Sequence, residues 1–249
     1  MHFKKYIRYT SVFAFIAVLF STQKVYAMHI MEGFLPPMWA ALWLVVSLPF
    51  IWMGIQSIKR ITNESANMKM LLGLCGAFAF VLSSLKLPSV TGSCSHPTGV
   101  GLSAILFGPA ATSILALIVL LFQAILLAHG GLTTLGANVF SMGIAGPITS
   151  YLLFRTLNKA GTSKAISVFA AAACGNLVTY IVTSIQLGLA FPGEVGMIAA
   201  IGKFMGIFAL TQVPLAISEG LLTVVIYNLL TSHHEKELNQ LTLIKGEKV

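Results

Sequence analysis

Residues 25–37 read VYAMHIMEGFLPP, and the Met28-His29 pair inside this stretch carries the most specific chemistry in the chain. If Met28 is the first residue of a processed chain, three nitrogens can hold one cation: its free amine, the backbone nitrogen of His29 and the Nδ1 of the His29 ring. The first two close a five-membered chelate ring and the last two a six-membered one, both low in strain. A backbone nitrogen binds in this way only after losing its proton. Ions high in the Irving–Williams series drive that loss in tetragonal nitrogen geometry. Three nitrogens in a plane leave one corner open, and His96 in the loop PSVTGSCSHPTG (88–99) offers a neutral imidazole nitrogen to fill it. The expected metal ligands are Met28, His29 and His96. Ordinary imidazoles would place the acid limit of binding near ~6.5.

The neighbouring residues have less specific expectations. Cys94 lies two residues from His96 and would shift preference toward softer ions if it bound, so it is an outer or competing donor. Ser93, Ser95 and Thr98 either hydrogen-bond the ligands or are plain loop polarity. Glu32 either neutralises a bound cation or caps the helix that begins near Met38. His129 sits at a loop edge and lines or caps the same surface. His233 and His234 fall in a tail that reads as solvated.

The chelate requires a cleavage, and residues 1–27 have the three parts of a secretory signal. Lys4, Lys5 and Arg8 form the basic start, TSVFAFIAVLF the apolar core, and VYA puts small residues at the cleavage positions. Cleavage is expected after Ala27. An uncleaved anchor is the alternative, although the apolar core is short of the ~20 residues a span needs.

The elements that must position these ligands are membrane helices. Of 249 residues 57% are hydrophobic and 9% charged, and the mean hydropathy is +0.89; a soluble domain carries about 25% charged residues. The 15 Lys+Arg against 7 Asp+Glu sit mainly at the start and between apolar runs, which points to membrane orientation and away from nucleic acid. The three cysteines form neither a CxxC nor a disulfide framework. Apolar runs of spanning length lie at about 38–58, 69–87, 109–128, 135–157, 165–189 and 203–230.

Charge then decides the count. With the mature N-terminus outside, the first span delivers Lys59, Arg60 and Lys69 inside, and the second returns the chain to an outside loop holding His96. The span at 135–157 ends in Arg155, Lys159 and Lys164, which belong inside, so HGGLTTLG must also lie outside. Two outside loops are separated by an even number of crossings. Proline interrupts helices, so Gly108-Pro109 splits the stretch between them into a short helix near 99–107 and a full one near 109–128. The expectation is an all-α integral membrane bundle of about seven helical segments over 28–230, followed by a cytoplasmic tail at 231–249. Asn138, Asn176, Gln186 and Glu219 are polar groups within apolar runs, expected to face the interior and bond helix to helix. Gly202 and Gly206 form a G-x-x-x-G, a pattern suited to close packing.

No H-E-x-x-H is present, and GMIAAIGKF misses the ATP-loop pattern in both spacing and the hydroxyl after Lys203. The chain is not expected to be an enzyme: no catalytic residue and no cofactor are assigned. A self-sufficient permease would want ionisable residues along its path, and the spans are poor in them.

At MHIMEGFLPPMWA, LKLPSVTGSCSHPTGVGLSAILFGP, LLFQAILLAHGG, TLGAN and KFMGIFALTQVPLAISEGLLTV the chain resembles the CbiM family, the substrate-capturing membrane subunits of cobalt transporters of the energy-coupling-factor type. The resemblance covers nearly all of the mature chain. Nickel-handling relatives share the Met-His start, whereas MEGFLPP and SCSHPTG look like the cobalt branch. The resemblance implies a site made from the N-terminal amine, the following His and a loop His, which carry over onto Met28, His29 and His96. It also implies Co(2+), or Ni(2+) as the alternative, as transported substrate. The implied partners are a transmembrane coupling subunit, ATP-binding subunits and a small accessory membrane subunit in the cell membrane. The implied purpose is cobalt supply for cobalamin synthesis.

Overall fold

The computed structural model describes residues 29–64, 67–88, 94–194, 196–234, 237–238 and 241. The signal segment 1–27, Met28 and Ser93 lie outside the described residues, as does the side chain of Cys94. Seven helical segments follow one another: α1 (Pro37–Glu64), α2 (Asn67–Ser84), α3 (Val100–Phe107), α4 (Pro109–Leu126), α5 (Leu135–Lys159), α6 (Lys164–Ala190) and α7 (Met197–His233). All but α3 are long and apolar enough to cross a membrane, and the chain is an integral membrane protein. A two-residue antiparallel pair, β1 (Leu87–Pro88) with β2 (Cys94–Ser95), closes the loop before α3.

The break at Gly108-Pro109 falls where proline predicts it. Proline can open a helix because its missing N–H would go unpaired there anyway, and it stands in the first turn of α4. All eight residues of α3 are buried. At 1.5 Å per residue α3 is about 12 Å long and α4 about 27 Å. Residues 96–99 lengthen the first limb before α3, with Gly99 turning in the left-handed region at φ 69°. His96, at the head of one limb, and His129, just past the end of the other, have ring centroids 4.9 Å apart. The chain therefore dips in through 96–107 and returns through α4. A limb that is partly non-helical is tolerated at membrane depth only when protein covers its backbone.

Two apolar clusters mark the ends of an up-and-down bundle. At one end Ile61, Met68, Leu72, Phe107, Ala111 and Leu230 meet, joining the end of α1, the start of α2, the α3–α4 break and the end of α7. At the other Ile30, Leu35, Ala137, Leu187 and Phe208 meet, joining the chain's first described residues to the start of α5, the end of α6 and the first half of α7.

Three departures from expectation have physical reasons. Helix α7 starts at Met197 and not near 203, because a single lysine can extend its stem along apolar surface without ending a helix. It runs on through His233, and beyond it Leu238 and Leu241 pack into the far-end cluster. Leu241 is 3% exposed, so this part of the tail is seated on the bundle. Finally, a Cβ on Gly202 or Gly206 would meet nothing within 4 Å, so their G-x-x-x-G packs against no other part of the described chain.

Candidate metal site

His29, His96 and His129 converge at the N-terminal end of the bundle. Their ligand atoms lie within 4.8 Å of one another and all three residues are buried. The His29 and His96 rings are stacked at 4.4 Å with 28° between planes. The His129 ring stands nearly at right angles to both, at 78° and 74°.

Each ring comes from a segment held by backbone bonds. Residues 30–33 are laced to the α4–α5 connection. The Ile30 N–H donates to Asn138 Oδ1 at 2.8 Å, Asn138 Nδ2 donates back to the Ile30 carbonyl at 3.0 Å, and the Glu32 N–H donates to Gly130 O at 3.1 Å. The Glu32 carboxylate accepts from the Thr133 N–H at 3.2 Å. It therefore ties the entering chain to this loop and caps no helix among the described residues. A Cβ on Gly131 would sit 2.4 Å from Glu32 Cα, so only glycine allows the two backbones to approach this closely.

The His96 loop hangs from α7. Gln212 Nε2 donates to the His96 carbonyl at 3.2 Å, and the Glu219 carboxyl accepts from the Thr98 N–H (2.6 Å), the Thr98 hydroxyl (2.8 Å) and the Gly99 N–H (2.8 Å). Asn176 of α6 completes the group, donating to Glu219 at 2.6 Å and accepting from Gln212 at 2.6 Å. Ser95 bonds Thr211 at 2.7 Å. Ser95 and Thr98 thus fasten the loop to α7, and neither bonds a histidine ring. Gly99 has φ +69°, and a Cβ there would lie 2.6 Å from Ala79 Cα.

The second nitrogen of two rings is already engaged. His29 Nε2 lies 3.2 Å from Met142 Sδ, and His96 Nδ1 lies 2.8 Å from the Pro97 carbonyl. With the proton on the engaged nitrogen in each case, the lone pairs fall on His29 Nδ1 and His96 Nε2. Those atoms, together with His129 Nε2, are buried and have no hydrogen-bond partner. The His29 Nδ1 is the nitrogen that the N-terminal chelate needs.

Charge state agrees with this. Burial, and then the neighbouring His96, His129 and Lys86, hold His29 well below the usual imidazole range. Burial brings His96 down to about 4 despite its bond to the Pro97 carbonyl, with Lys86 adding to the depression. Burial, then His96 and Lys86, brings His129 to about 3. All three are neutral near pH 7, which is the form that binds a metal. Expected ligands His29 and His96 are brought together, Met28 lies outside the described residues, and His129 joins the cluster although its type and position alone suggested only a lining role. Three converging neutral imidazoles with unpartnered nitrogens suit a divalent ion of the later first transition row.

A helical membrane bundle with such a nitrogen cluster at one end defines the class: an integral membrane protein equipped to hold a transition metal. The chain belongs to the CbiM family, whose model, described as the cobalt uptake substrate-specific transmembrane region, matches residues 29–237. The cobalt transport protein CbiM of Acetohalobium arabaticum is 57% identical over 251 residues, covering 100% of both chains. That of Nostoc sp. is 58% identical over 94% of this chain and 90% of its own. A crystal structure described as a truncated transition metal transporter aligns with TM-score 0.71 and 27% identity, over 83% of this chain and 100% of its own.

Proposed function

We propose that this protein captures Co(2+) outside the cytoplasm and delivers it for uptake as the substrate-specificity subunit of an energy-coupling-factor transporter. The observation that carries the reading is the trio of buried, neutral, unpartnered imidazole nitrogens, in a chain of a family named for cobalt uptake. Cleavage after Ala27 frees the Met28 amine. That amine, the His29 backbone nitrogen and His29 Nδ1 form three corners of a plane, and His96 Nε2 takes the fourth.

The orientation follows from charge. Lys59, Arg60, Lys69, Arg155, Lys159 and Lys164 sit toward the end away from the histidines, which puts that end in the cytoplasm. The metal site then faces outward, and the C-terminus lies inside. Energy comes from partners: ATP-binding subunits, a transmembrane coupling subunit and a small accessory membrane subunit. Cobalamin synthesis is the consumer that fits cobalt. A stand-alone permease is less well supported, because Glu219, the carboxyl buried inside the bundle among the described residues, is held by hydrogen bonds from Thr98, Gly99 and Asn176.

The test is calorimetric titration of Co(II) into the purified processed chain and its His96→Ala variant. The substitution should abolish high-affinity binding while membrane insertion is retained. Unchanged affinity would remove His96 from the site, and a mass spectrum showing an intact Ala27–Met28 bond would remove the amine.

A further inference from the structure

We propose that His129 is the axial donor of this metal site and the residue that favours Co(II) over Ni(II). The inference rests on the planar chelate of Met28, His29 and His96. That plane supplies four nitrogens, so the positions left for another donor lie above or below it. His129 belongs to the same cluster, with a ring nitrogen within 4.8 Å of a ring nitrogen of His29 and of His96, and its ring is turned nearly perpendicular to those of His29 and His96.

A histidine serving only as packing would have its buried nitrogen paired, since an unpaired buried polar atom is costly. The Nε2 of His129 has no partner. The backbone is meanwhile held firmly around it. Ala128 takes a left-handed φ of 47°, unusual for a residue with a Cβ, and Gly130 follows at φ 75°. The His129 N–H donates to Gln123 O, and the Gln123 side chain is in turn bonded to Ser83 at 2.6 Å. A constrained backbone presenting an unsatisfied nitrogen to two other unsatisfied nitrogens describes a ligand.

Selectivity follows from electron count. In a strong planar nitrogen field Ni(II) has all its d electrons paired, and the orbital along the axis is filled, so it repels a fifth donor. Co(II) has one electron fewer, leaves that orbital half-filled and gains from a nitrogen placed there. A planar site without His129 favours nickel; with His129 it favours cobalt.

The experiment uses the purified processed chain loaded with Co(II) or Ni(II) under anaerobic conditions. The EPR spectrum of the wild-type Co(II) complex should show axial lines split by one nitrogen nucleus. In His129→Ala the splitting should vanish. Co(II) affinity should fall roughly tenfold to a hundredfold, the range seen when a metal site loses a supporting group, while Ni(II) affinity holds within about threefold. Retained nickel binding also shows that the variant is folded. In His129→Gly, added imidazole should restore both the splitting and the cobalt affinity. Absence of nitrogen splitting in the wild type, or loss of both metals to the same degree in the variant, overturns the proposal. A planar Ni(II) spectrum together with unsplit Co(II) lines sinks the axial role alone. A wild-type Ni(II) complex that is octahedral sinks the planar chelate and the axial role with it.

Discussion

At the scale of single residues, the site is prepared by which nitrogen of each ring carries the proton. Met142 fixes His29: its sulfur accepts from Nε2, and Nδ1 is left free on the side of the chain start. Met142→Leu keeps volume and removes the acceptor. The proton of His29 should then redistribute between its two nitrogens, visible in ring 15N shifts, with a several-fold loss of Co(II) affinity. Unchanged shifts would show that the sulfur contact does nothing. Protonation gives a second prediction. In the folded chain the three histidines lie below the ~6.5 of a free imidazole, so the unfolded chain takes up protons first as pH falls. The histidines' contribution to fold stability is complete above about pH 6.5 and declines below it as unfolded imidazoles charge. Metal binding between pH 5 and 8 then releases protons from the amine and the amide alone. The imidazole contribution to the pH dependence, expected near ~6.5 for ordinary imidazoles, is thereby moved down. Titrations in buffers of different ionisation enthalpy check this, and imidazole protons released near pH 6.5 would contradict it. His29 and His96 were legible from their setting in Met-His and in the Pro-Gly loop. The place of His129 in the cluster was not, because an isolated histidine has no local pattern. The only clue was the Gly130-Gly131 pair behind it, which marks a backbone packed tightly against something distant.

At the scale of elements, α7 is the carrier of the His96 loop. Its Thr211, Gln212 and Glu219 reach loop residues more than a hundred positions away in sequence, on both sides of Pro214 within the helix. Glu219 is fully buried and satisfies two backbone N–H groups at once. In Glu219→Gln an amide NH2 would face donors, leaving at least one buried N–H unpaired at a cost of about 1–3 kcal/mol. The variant should melt at lower temperature and bind Co(II) at least tenfold more weakly, while Glu219→Asp should recover part of both. Affinity unchanged in the glutamine variant would mean that the loop does not depend on this anchor. Sequence patterning placed the helices well, since hydropathy marks spans and Gly108-Pro109 marks the break. Hydropathy alone points Asn138, Asn176, Gln186 and Glu219 toward helix-to-helix bonds. Asn176 and Gln212 do bond each other across α6 and α7, but Asn138, Glu219 and Gln212 also bond loop backbone. Hydropathy shows that a buried polar group needs a partner, and only the tertiary fold shows which one.

At the scale of the whole molecule, the three loops that bring the histidines together all lie at one end, and the clustered positive charges toward the other. A cysteine placed at Glu194 should react with an impermeant thiol reagent added outside intact cells, and one at Ala160 should not; the reverse pattern would invert the assigned orientation. The central claim is that one divalent ion is held by nitrogens at the outer end of the bundle. Its most direct test is the X-ray absorption spectrum of the Co(II)-loaded, processed protein. The spectrum should show nitrogen donors at about 2.0–2.1 Å, by analogy with imidazole–zinc distances, with the more distant scattering of imidazole rings. A sulfur shell near ~2.3 Å, or a spectrum without imidazole scattering, would contradict it.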